Sequence, residues 1–136
     1  MNLSKNVKIM EVGAPVAAGS SVDNNSDVVD MQGFEGVVFI ASITDSVDTG
    51  IAGLVVEQNS ANSATGMAAL SGAAASVVSA ANDDLNGQLL VVDVHKPQER
   101  FVQAVRTSSI ANIAFGSVIA ILYNGKKYPV TEDSTI

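Results

Sequence analysis

Apolar residues in this chain gather in short runs, each flanked by polar or turn-forming residues. VVFIASI (37–43), IAGLVVEQ (51–58), QLLVVDV (88–94), RFVQAVR (100–106) and SVIAILY (117–123) are seven or eight residues long, rich in Val, Ile, Phe and Tyr, and bounded by Gly, Asn, Asp, Ser or Pro. Runs of this length and composition suit a pleated sheet surface better than a helix. NVKIMEV (6–12), SDVVDM (26–31), ASVVSA (75–80) and KKYPV (126–130) are shorter candidates. Nine short strands with frequent turn signals point to an all-β sandwich or closed barrel. The expectation is a single jelly-roll-like β-sandwich domain over residues 1–136.

The turn chemistry agrees. Asn86-Gly87 and Asn124-Gly125 accept positive φ, and the second lies between two candidate strands where a tight hairpin needs it. Pro97 has no N–H to give a central ladder, so it marks the turn between QLLVVDV and RFVQAVR. The ambiguous stretch is SANSATGMAALSGAAASVVSAAN (60–82). Gly66 and Gly72 weaken any helix there by about 1 kcal/mol each relative to Ala, so it reads as a long uncharged surface loop with one helical turn at most, then a short strand. Long loops in compact domains are usually functional or disordered, and the lack of charge here favours contact with a partner. Met67 and Leu70 are its expected anchors against a partner subunit, because small uncharged neighbours let them be buried without desolvating ions. The termini, MNLSKNVK and TEDSTI, have little apolar content and are expected to be extended arms.

Composition narrows the function classes. Charged residues are 15% and aromatics 4%, so part of the surface of so small a domain is expected to be covered by something else. The net charge of −7 argues against nucleic acid or an anionic membrane as partner. The chain has no cysteine, which removes disulfides, thiolate nucleophiles and Cys-ligated metals. No signal-like segment and no apolar run of membrane-spanning length is present, and a soluble protein is expected. Residues 9–95 contain no Lys or Arg but hold eleven of the fourteen acids, so the sequence is electrostatically two-sided.

VDVHKPQERFVQAVR (92–106) holds the one histidine and both arginines. Asp93, His95, Glu99 and Arg100 are residue types that do acid–base work, yet a histidine catalyst needs a nucleophile or metal and a group fixing its tautomer. Neither a Gly-x-Ser-x-Gly elbow nor a second histidine supplies them, and a polar loop at one end of a sandwich is the simpler reading. VDNNSDVVD (22–30) places Asp23, Asn25 and Asp27 like the start of a calcium loop, but Val28 stands where Gly is required and Phe34 where Glu is, leaving an Asx-rich turn. DMQGFEG (30–36) matches no phosphate-binding pattern, so no cofactor is expected. Lys96, Arg100, Arg106, Lys126 and Lys127 lie on or beside neighbouring candidate strands without the aromatics that nucleic acid requires; they suit an acidic protein partner.

Taken in order, MQGFEGVVFI, VVDVHKPQERFVQAV and SVIAILYNGKKYPVT resemble a class of small tailed-bacteriophage proteins that accompany the major capsid protein. The resemblance is to capsid decoration, or cement, proteins, and it spans most of the chain as a pattern. It implies a non-enzymatic virion protein that binds the outside of the capsid as a small homo-oligomer and stabilises contacts between major capsid subunits after assembly in the host cytoplasm. A head–tail connector or tail component is the alternative.

Overall fold

The computed structural model describes residues 2–126. A 3-10 turn at Leu3–Lys5 precedes ten strands: β1 Lys8–Gly13, β2 Val16–Gly19, β3 Asp23–Asn25, β4 Val29–Asp30, β5 Gly36–Ser46, β6 Ile51–Asn59, β7 Ala68–Val78, β8 Leu89–His95, β9 Phe101–Ser109 and β10 Ile113–Tyr123. One sheet has the order β1-β10-β5-β8, with β2 also on β10; the other has the order β3-β9-β6-β7, with β4 also on β9. If β1–β2 and β3–β4 are each counted as one interrupted strand, this is the order of an eight-stranded jelly roll. The sandwich expected from the run pattern is therefore present, and every pairing between the strands is antiparallel.

Side chains alternate across each sheet, so every second residue enters the core. Val37, Phe39, Ala41 and Ile43 of β5 and Leu90, Val92 and Val94 of β8 meet Leu54 and Val56 of β6 and Val102 and Ala104 of β9. The turn dipeptides do what their chemistry suggests: Gly87 and Asn124 both have positive φ. The second strand proposed after Asn124-Gly125, with Lys127, and the C-terminal arm lie outside the described residues.

One segment differs from its expectation. Residues 68–74, expected within an uncharged loop, join the short strand expected from residue 75 in one eleven-residue strand, β7, on the edge of the second sheet. Alanine and serine carry weak strand preference, and here pairing with β6 decides the outcome. Between Val55↔Ala74 and Glu57↔Ala69 the register shifts, so β7 carries extra residues, among them Gly72 at φ +79. That bulge turns Leu70 and Ala73 onto the core. The true loop is residues 60–67, whose turns the Asn59 amide ties by donating to the carbonyls of Ser63 and Thr65.

Candidate protein-interaction surfaces

Three of the basic residues marked in the sequence come together. β8 ends at His95, and Lys96 at φ 55 swings the chain through Pro97 across to the other sheet, where Arg100 precedes β9. The loop after β4 lies alongside. The Arg100 guanidinium donates Nε to Asp30 Oδ1 and an NH2 nitrogen to Asp30 Oδ2, both at 2.8 Å, and NH2 also reaches Gln32 at 2.6 Å. Arg100 further stacks over Phe101, 5.0 Å from its ring centroid. The backbone completes the junction: Lys96 N–H donates to Glu35 O, and Lys126 N–H to Gly33 O. Lys96, Arg100 and Lys126 thereby line one open groove of about 500 Å3 with Glu35, Glu99 and Phe34. The Arg100–Asp30 pair is half-exposed, so it orients two loops more than it stabilises the fold. The guanidinium holds the Asp30 carboxyl below its ordinary range.

Arg106 does not belong to this group, and its expected role as a surface cation is corrected. It is 1% exposed. Its guanidinium donates to Ala14 O, Gly116 O and Asn24 Oδ1 at 2.6–2.8 Å, linking the two sheets, and burial pushes its pKa down. Asn24, read earlier as part of an Asx turn, thus supplies an oxygen to an internal cation. Met67 is half-buried in the 60–67 loop, at the same end of the sandwich as the groove; Leu70 is half-buried too, but packs on the chain's own core.

The surface basic residues are one-sided in space as well, although Asp30, Glu35 and Glu99 lie among them. The 3-10 turn with Lys5, the start of β1 with Lys8, and the groove all lie at the end where β5 begins and β10 finishes. At the opposite end, the turn from β5 to β6 and the β7–β8 loop bring Asp45, Asp48, Asp83 and Asp84 close together, with no Lys or Arg among the described residues. Asp84 accepts from the Ser79 hydroxyl at 2.6 Å and the Ala80 N–H at 2.9 Å, which lower its pKa.

The Asp93–His95 pair is not a catalytic relay. Across β8, β5 and β10 the register sets His95, Gly36 and Tyr123 in one row. The Tyr123 ring lies over Gly36, where any Cβ would collide with it, and stacks with His95 at 6.0 Å and 9°. Its hydroxyl donates to Asp93 at 2.6 Å, so Asp93 holds the tyrosine and not the imidazole. Burial first, and then this carboxylate, push the Tyr123 pKa up to about 12, away from any acid–base role near neutrality.

Sequence reasoning missed one surface altogether. On the outer side of the first sheet, Val91, Ile40 and Ile119 form one row, and Asp93, Val38 and Ile121 the next. Leu89 is 60% exposed and Val91 49%, and the other four apolar side chains are half-buried. A signal was there to be read: VVFIASI, QLLVVDV and SVIAILY are apolar at both parities, whereas a strand with one solvated face alternates.

No protein-family model and no curated protein matches the sequence. Several solved structures share the fold. The PBSX exported protein XepA has a TM-score of 0.58 at 17% identity, with 100% of this chain and 43% of that one covered. Two structures of infectious bursal disease virus, from the Gt and Gx strains, have TM-scores of 0.51 and 0.50 at 10% and 12% identity, each over 90% of this chain and 34% of that chain. The chain thus spans less than half the length of these structural neighbours, and what it shares with them is the jelly-roll fold.

Proposed function

We propose that this chain is a non-enzymatic virion structural protein that binds the outside of a phage capsid and stabilises contacts between major capsid subunits. The observation that carries the reading is the gathering of Lys96, Arg100 and Lys126 around an open groove at one end of a sandwich whose other end is acidic. The lysines of the groove suit acidic groups of a partner, and Met67 at the same end of the sandwich offers an apolar anchor. The fold shared with chains of a virus structure supports the same reading. Stabilisation follows from mass action: a protein that binds only the assembled lattice lowers its free energy by RT ln(1 + [L]/Kd) at each of many identical sites.

Sedimentation with expanded shells and with free capsid protein tests this. The protein is expected to pellet with shells, and Lys96→Glu with Lys126→Glu to weaken that binding about tenfold or more, with a shallower salt dependence. No pelleting with shells at low salt removes the reading. Copy number per particle separates it from a connector or tail role, since a lattice protein is present in hundreds and a ring component in about a dozen.

A further inference from the structure

The outer face of the first sheet is anomalous. A sandwich is expected to put polar side chains on its solvent faces, yet Val38, Ile40, Ile119 and Ile121 lie centrally on this one, with Leu89 and Val91 beside them. We infer that this face is buried against the same face of a second copy of the chain.

Three features select a second copy over other occupants. The first is composition. Transient interfaces are about as apolar as the rest of a protein surface, whereas the interfaces of homodimers are more so, because they never have to be exposed. Apolar residues at both parities of β5, β8 and β10 fit a sheet covered permanently on both sides.

The second is size. Four strands at about 4.8 Å spacing and seven residues at about 3.3 Å rise, with side-chain margins, make a footprint of about 20 by 25 Å. With the relief of the side chains, its accessible area is of the order of the ~800 Å2 that each partner contributes to a standard stable interface.

The third is charge. The carboxylates on the face are Glu11 of β1, in register with Ile119, and Asp93 of β8, in register with Val38, so they lie on opposite margins and in different rows. A two-fold axis in the plane of the interface, running across the strands between these two rows, stacks the two sheets and lays the acidic end of one copy over the opposite end of the other. Asp93 then meets Val91, and Glu11 meets Ile9, so no two carboxylates face each other. Aligned stacking of this kind is how sheets pack inside a sandwich.

Sedimentation velocity of the full chain at concentrations up to about 100 μM decides the matter. The expected result is a dimer for the natural sequence and a monomer for Leu89→Lys with Val91→Lys, the dissociation constant rising about 100-fold or more. Both residues are already at least half-exposed, so the double variant is expected to keep its far-UV spectrum and melting temperature in dilute solution. A natural chain that stays monomeric at the highest concentration overturns the pairing, as does a dimer unaffected by the two lysines. If the natural chain is monomeric but the lysines abolish shell binding, the face belongs to the shell and self-pairing is equally overturned. Because shell binding is assigned to the groove, its failure leaves the dimer test unchanged.

Discussion

At Arg106 the environment of a single side chain reverses what its type suggests. Arginine is rarely buried, and a reading by type puts it on the surface. In the fold it fills the space beside Gly13, whose Cβ position lies 2.9 Å from an NH2 nitrogen, and it satisfies the carbonyls of Ala14 and Gly116. Its Nε makes no hydrogen bond. The cation is held by neutral oxygens alone among the described residues, so the site depends on every one of those bonds. Arg106→Ala is expected to cost about 3 kcal/mol in urea denaturation, because it empties a packed volume and strands the buried Gly116 carbonyl. A loss under about 1 kcal/mol would mean that water replaces the guanidinium.

At the level of elements, β7 shows how pairing overrides local preference. Its Ala, Ser and Gly residues specify no strand on their own; β6 supplies the ladder, and the bulge around Gly72 sets which side chains face inward. Met67 and Leu70 are three residues apart in an uncharged segment and look equivalent in sequence, but the bulge separates their roles. Leu70→Asp is expected to lower stability by about 2 kcal/mol, since it drives a carboxylate toward the core. Met67→Asp is expected to leave the melting temperature nearly unchanged and to act on partner binding instead. Parallel thermal melts of the two single variants check this, and equal destabilisation would place both in the domain's own packing.

Across the whole molecule, the lysines among the described residues gather at one end of the sandwich, and two carboxylates at opposite ends tie stability to pH. Asp30, bonded to Arg100, and Asp84, bonded to Ser79 and Ala80, both have folded pKa values below the ordinary 3.8. A carboxyl depressed on folding contributes stability that is fully present above its unfolded pKa and is lost as pH falls through the folded value. The melting temperature is therefore expected to hold from neutrality to about pH 4.5 and to fall below about pH 4. Asp84→Asn is expected to lower the neutral plateau and make that acid fall shallower. A fall of unchanged steepness in the variant would assign the acid limb to other carboxylates.

Strand positions, the all-β class and the two-sided charge were legible in the sequence because each rests on local composition: apolar runs of seven or eight residues, turn dipeptides at Asn86-Gly87 and Asn124-Gly125, and a span of residues 9–95 with no cation. Lys96, Arg100 and Lys126 could be marked as candidates for the same reason. What brings them together is the long-range meeting of the loop after β4, the loop after β8 and the end of β10, which no local pattern encodes. Burial of Arg106, the register of β7 and the joining of three doubly apolar strands into one outer face were likewise settled only in three dimensions. Each depends on which strands become neighbours, and in a jelly roll those neighbours are far apart in the chain: β5 lies between β8 and β10, and β9 between β3 and β6.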